Sequence, residues 1–172
     1  MKQNINIQTL NYNEVRTYGV ASIFIIGNIA LPQFCHLFPQ GGLIWLPIYF
    51  FTLIASYKYG WKVGLLTALC SPIVNNLLFS MPASGLLPAI LIKSVSLSLI
   101  AAVVAHKTNR LSLSLLTLVV VAYQTVGTLA EWLLCGSLDI ALQDFRIGIP
   151  GMILQVIGGF LSLKVLNNQL SE

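Results

Sequence analysis

Charge is what this chain lacks most. Asp, Glu, Lys and Arg together make up 8% of its 172 residues, where a soluble domain carries about 25%. Such a chain cannot cover itself with a solvated surface. With 56% hydrophobic residues and a mean hydropathy of +0.84, its solvent is lipid. Other absences narrow the function. There is no GxxxxGK[ST] phosphate loop, which excludes ATP hydrolysis by that route. There is no HExxH, no GxSxG and no Ser-His-Asp or Cys-His set, so neither an enzyme nor a bound cofactor is expected. The three cysteines, Cys35, Cys70 and Cys135, are odd in number and widely spaced. They form neither a disulfide framework nor a zinc pattern. The pI near 9.1 comes from Lys and Arg residues scattered singly, which argues against nucleic acid as a partner. The opening stretch MKQNINIQTLNYN is polar and lacks the apolar core of a cleavable signal. Residues 1–13 are therefore expected as a polar cytoplasmic segment.

What is present is apolar sequence in six blocks: Val15–Phe34, Leu43–Tyr57, Trp61–Phe79, Leu86–Ala105, Leu111–Leu134 and Phe145–Leu166. A membrane helix needs about 20 such residues, and the second block is short by that measure. The separators FPQGG, SMPASG, KTNR and CGSLD carry turn chemistry. No long hydrophilic region interrupts them, so residues 1–172 are expected as a single membrane domain. The fold class is an all-α integral membrane protein with six transmembrane helices.

Basic residues orient it. Lys2, Arg16, Lys58, Lys62, Lys107, Arg110 and Lys164 all fall on one side of a six-span arrangement. The other side has Arg146, against Asp139 and Asp144. The positive-inside rule then places both termini in the cytoplasm, N-in and C-in.

Polar residues recur at helical spacing inside the apolar blocks. Gln124, Thr128, Glu131 and Cys135 share one face of the fifth, and Gly60, Gly64, Thr67, Ser71 and Asn75 share one of the third. Gly148, Met152, Gln155 and Gly159 do the same in the sixth. Small residues at this spacing let membrane helices approach closely. The larger polar groups converge on one level. Asn75, Asn76, Glu131, Gln155 and Arg146 lie toward the outer ends of their segments, and Lys93 about 10 Å below the outer end of the fourth, at 1.5 Å per residue. His36, Trp45, Tyr49 and Trp132 lie near the same level. A few polar groups set in apolar walls describe a small-molecule site, so Lys93, Glu131, Asn75, Asn76, Gln155, Arg146, Trp45 and His36 are the candidate substrate-binding residues.

Each candidate also has a plainer reading. Lys93 can snorkel along its stem, form a buried structural pair with Glu131, or meet a bound anion. Trp45 and Trp132 suit the interfacial aromatic belt, and His36 is a lone histidine in a loop. The segment ALPQFCHLFPQGGLIWLP holds three prolines and is not expected as a regular helix throughout. A structured cap over the site is one reading of it. Pro72 is expected to kink the third segment and free the carbonyl of Ala68.

The stretch PIYFFTLIASYKYGWKVGLLTALCSPIVNNLLFSMPASGLLPAILIK resembles the substrate-binding S components of energy-coupling factor (ECF) transporters, a class of ABC uptake system. The resemblance rests on Tyr59-Gly60-Trp61, Gly64, Ser71-Pro72 and Met81-Pro82. It implies a six-helix subunit of a bacterial cytoplasmic membrane that captures a vitamin-like small molecule from outside. It also implies partners: a transmembrane coupling subunit and two ATPase subunits. The first segment carries Gly19, Ala21, Ser22 and Gly27 in place of the Ala-xxx-Ala pair common in that family, and Ser80 stands where a Gly often precedes Met-Pro. A six-helix scaffold of the rod-shape-determining, MreD-like kind is the alternative, along with an intramembrane enzyme or channel. A scaffold needs no polar pocket, and the enzyme lacks a catalytic set.

Overall fold

A computed structural model describes residues 2–169. Met1 and residues 170–172, part of the expected single domain, lie outside the described residues, as do the side chains of Lys2 and Asp144 counted in the charge asymmetry. Helices dominate: α1 (Val15–Cys35), α2 (Gly41–Trp45), α3 (Phe50–Tyr59), α4 (Trp61–Phe79), α5 (Leu87–Thr108), α6 (Leu113–Cys135), α7 (Leu138–Ala141), α8 (Gln143–Ile147) and α9 (Ile149–Gln169). Five of these, α1, α4, α5, α6 and α9, are long and apolar enough to cross a membrane. The chain is a helical, multi-pass membrane protein.

The second apolar block departs from the single short helix expected over Leu43–Tyr57. It is divided into α2, a 3₁₀ turn at Pro47–Tyr49 and the ten-residue α3. The cause is local. Pro47 has no N–H to give a continuing helix, and Leu46 before it takes the left-handed conformation with φ 46°. Other boundaries follow familiar chemistry. Gly60, with φ 83°, ends α3 and starts α4 in one residue, a backbone conformation that favours glycine. Ser112 caps α6 by accepting from the Leu115 N–H at 3.2 Å. Pro150 occupies the first turn of α9, where its missing N–H costs nothing. That α9 starts at Ile149 rather than near Phe145 reflects this; Phe145 belongs to α8. Pro72 lies inside α4, which runs unbroken from Trp61 to Phe79.

A small sheet modifies the all-α expectation. Strand β1 (Lys2–Asn4) pairs antiparallel with β2 (Arg110–Ser112), Gln3 opposite Leu111. The N-terminal segment is thus tied to the connection between α5 and α6. The same end gathers further chain: the Gln8 N–H donates to the Lys58 carbonyl at 2.9 Å and the Ile5 N–H to the Asn109 carbonyl at 3.2 Å. The Asn6 N–H donates to Asn167 Oδ1 at 2.9 Å. Lys58 is wholly buried there, its Nζ donating to the Asn6 carbonyl at 2.8 Å and to Asn167 Oδ1 at 3.2 Å. Lys58, which flanks the α3–α4 turn, is also the bolt joining α3, α9 and the N-terminal segment.

Helix α5 is central, packed against α3, α4 and α6. Small residues permit the close approach. A methyl added at Gly64 would overlap Ser56 Oγ of α3 and Ser98 Oγ of α5, so three helices meet at that glycine. Leu53, Tyr57, Val63, Leu97, Leu116 and Tyr123 fill the interior around it.

Candidate functional site

At the end opposite the sheet, a cavity of about 370 Å³ opens between α1, α2, α4 and the start of α5. His36 at the end of α1, Pro47 beyond α2, Asn75 of α4, Met81 of the α4–α5 connection, and Leu86 and Ile90 at the start of α5 contribute to its wall. The proline-rich connection does form irregular structure here. Beyond the α1 terminus it turns at Gln40, φ 55°, and lays α2 over the cavity side. The α2 backbone is pressed against α9: a methyl at Gly151 would lie 2.5 Å from the Trp45 carbonyl carbon.

Asn75 is the buried polar group of the cavity, and a network holds it. Its Nδ2 donates to the carbonyls of Asn28 at 3.0 Å and Ser71 at 3.1 Å, and its Oδ1 accepts from Gln33 Nε2 at 3.4 Å. An amide oxygen can accept twice, so Oδ1 keeps capacity for a ligand donor. Asn28 organises the surroundings. Its Nδ2 donates to Thr52 Oγ1 at 2.9 Å and to Ser71 Oγ at 3.3 Å. Its Oδ1 accepts from the Phe51 N–H at 3.1 Å, one of the orphan donors of the first turn of α3. Asn28 thereby caps a neighbouring helix from inside the bundle. The sequence reading passed it over, although a lone amide within the run IIGNIAL is itself a signal, since polar side chains are costly in lipid.

The remaining candidates form separate arrangements. Lys93 of α5 pairs with Glu131 of α6, Nζ to Oε2 at 2.5 Å, with side-chain exposures of 2% and 11%. The lysine stem lies over Gly127, where an added methyl would overlap its Cγ. Lys93 follows Ile90 by one helical turn, placing it deeper along the α5 face that lines the cavity. Beside the pair, Ser94 Oγ, Ser98 Oγ, Thr128 Oγ1 and both amide atoms of Gln124 are buried without a hydrogen-bond partner among the described residues.

Gln155 is fully buried. Its Oε1 accepts from Tyr123 Oη at 2.8 Å and its Nε2 donates to the Leu46 carbonyl at 3.5 Å, so it braces the turn behind the cavity. Tyr123, another residue the sequence did not single out, is in turn packed against Tyr49, ring centroids 5.4 Å apart. Asn76 Nδ2 donates to the Pro82 carbonyl at 2.6 Å and holds the α4–α5 connection. Arg146 meets Asp139 at 3.3 Å on the surface, and Trp45 is half-exposed on α2; neither lines the cavity. The structure therefore brings His36 and Asn75 to one cavity, sets Lys93 and Glu131 a turn deeper, and distributes the rest around the frame. Among the described residues, no three His, Cys, Asp or Glu side chains are grouped to hold a metal ion.

Comparison with protein-family models, with curated proteins and with solved structures returns no match.

Proposed function

We propose that this chain is the substrate-capture subunit of an ATP-driven uptake transporter in a bacterial cytoplasmic membrane, similar to the S components of ECF systems. The cavity at the end opposite the cationic residues is the observation that carries the reading. Its volume of about 370 Å³ lies within the roughly 300–1,000 Å³ of small-molecule sites. Its walls are apolar with a buried amide and an imidazole, the composition that suits a vitamin-like ligand. A negatively charged group on that ligand would draw on Lys93, one turn below Ile90.

Orientation supports capture from outside. The ends held together by β1, β2, Lys58 and Asn167 carry Arg16, Lys62, Lys107 and Arg110, so the positive-inside rule assigns that end to the cytoplasm. The connections after α3 and α5 and both ends of the described chain lie at that end, which supports a reading of six crossings in which α2, the 3₁₀ turn and α3 together make the second. Energy must come from elsewhere, since the chain has no phosphate loop. A coupling subunit and two ATPases are the partners this reading demands.

The test begins with mass spectrometry of whatever small molecule copurifies with the protein. Reconstituted alone in liposomes, the protein should bind that molecule without concentrating it, and uptake should need ATP and the coupling module. Accumulation against a gradient by this chain alone would refute the subunit reading. A protein that binds no small molecule would favour the scaffold.

A further inference from the structure

A second concavity, about 570 Å³ in volume, lies at the cationic end. One wall is a stripe of α5, Leu99, Ala102, Val103 and His106, closed by Lys107. The spacings of three, one, three and one keep the stripe on one face. It runs about 12 Å along the helix axis at 1.5 Å per residue, and hence along the direction of the lipid chains. The opposite wall is Trp61 at the start of α4 with Ile7 of the N-terminal segment.

The groove is polarised. Its deep part is aliphatic and open to the bilayer, since Leu99 and Val103 are exposed by 42% and 51%. Its outer mouth is cationic. Lys107 and His106 are both exposed, and Lys62 Nζ stands 5.6 Å from the centroid of the Trp61 ring that forms the wall. Lys107 makes no hydrogen bond or ion pair with another described residue. Apolar length below and positive charge at headgroup level match one partner in both respects.

We propose that this groove is a binding site for an anionic phospholipid, one acyl chain lying along Leu99, Ala102 and Val103 with the headgroup phosphate held by Lys107 and His106. The site is distinct from the substrate cavity and does not depend on the transport reading. A soluble phosphate compound would satisfy the cations but leave the aliphatic wall bare, and a zwitterionic lipid would fill the wall with less gain at the mouth.

The test is native mass spectrometry of the detergent-solubilised protein incubated with equal amounts of phosphatidylglycerol and phosphatidylcholine of identical chains. Phosphatidylglycerol should be retained in preference by roughly tenfold, the scale expected of juxtamembrane cations on anionic lipid. Lys107→Gln should bring the two lipids toward equal retention. Val103→Trp, which fills the aliphatic wall, should remove both. Lys164→Gln should change nothing, because Lys164 lies on α9 and lines no part of the groove. Thermal melting of each variant in lipid-free detergent should match the parent, which separates lipid loss from misfolding. Equal retention of the two lipids by the parent, an undiminished preference in Lys107→Gln, or displacement by excess glycerol 3-phosphate would overturn the proposal.

Discussion

Lys93 on α5 and Glu131 on α6 form an ion pair within the helix bundle, 2.5 Å between Nζ and Oε2, with the lysine stem laid across Gly127. A lone ammonium at the centre of a membrane helix costs about 2.5–3.5 kcal/mol on insertion scales, and the carboxylate offsets that cost by pairing. Lys93→Met should therefore destabilise the fold by about 3–5 kcal/mol, the scale of a buried charge left without its partner. Lys93→Met/Glu131→Gln should recover most of this, a non-additivity that a double-mutant cycle of thermal denaturation in detergent measures directly. The recovered double variant also isolates the ligand question. If the ammonium meets an anion, affinity for the copurified molecule should fall about ten- to hundredfold, at 1.4 kcal/mol per factor of ten. Unchanged affinity would confine the pair to structure.

Gly127 offers an independent approach to the same pair. Ala at this position forces the lysine stem aside, and overpacking of this kind costs about 1–3 kcal/mol. Gly19 of α1 is the matched control, since an added methyl there meets nothing within 4 Å. Gly19→Ala should leave stability unchanged or raise it by about 0.5–1 kcal/mol through helix propensity. Equal melting temperatures for the two variants would show that the stem does not depend on the glycine.

Asn28 joins α1, α3 and α4 through three side-chain hydrogen bonds. Interhelical hydrogen bonds in membranes average about 0.6 kcal/mol each, so Asn28→Leu should lower stability by about 2 kcal/mol. Because Asn28 Nδ2 also holds Ser71, whose carbonyl accepts from Asn75, the change should weaken ligand retention in the cavity. A variant that melts lower yet retains ligand as before would separate the network from the site.

Much of the frame was legible in the sequence, for physical reasons that differ by element. The α4 boundaries at Trp61 and Phe79 were readable because Gly60 and the Ser-Met-Pro turn punctuate both ends. The second block was not, because its continuous apolar character resembles a helix while Leu46 and Pro47 break its backbone. Helical spacing placed Gln124, Thr128 and Glu131 on one face, and the Lys93–Glu131 pairing was among the readings weighed. The single polar level was less informative: the partners of Gln155, Asn76 and Arg146 are Tyr123, Pro82 and Asp139, contacts that no spacing within one helix encodes. Asn28 and Lys58 were missed on the same ground, since their partners come from segments more than twenty residues away in sequence.

Orientation can be read chemically. In a cysteine-free background, single cysteines at Ser84, in the α4–α5 connection, and at Asn109, beside β2, occupy opposite ends of α5, and both positions are exposed. A membrane-impermeant thiol reagent applied to intact cells should label Ser84→Cys and spare Asn109→Cys until the membrane is opened. The reverse pattern would place the cavity in the cytoplasm and remove the basis for capture from outside.

Lys58 sets a condition on the N-terminal segment. Its ammonium is buried among neutral oxygens, the Asn6 carbonyl and Asn167 Oδ1, so the bonds are charge-assisted and worth about 1.5–3 kcal/mol. Removing the charge removes the donor that binds residues 5–8 to α3 and α9, while the aliphatic stem can be replaced by Met at little cost in packing. Lys58→Met should therefore loosen one end of the molecule without unfolding the bundle. Hydrogen exchange reads this site by site. The amides of Ile5 and Gln8, bonded to Asn109 and Lys58 carbonyls, should lose protection, whereas amides within α5 and α6 keep theirs. Asn167→Ala should also lower protection, because it removes one acceptor of Lys58 together with the direct bonds of Asn167 to the Asn6 N–H and the Asn4 carbonyl. Protection of Ile5 and Gln8 that survives both changes would mean that the backbone bonds to Asn109 and Lys58 and the β1–β2 pairing hold the segment without help, and that the Lys58 ammonium is buried as ballast rather than as a tie.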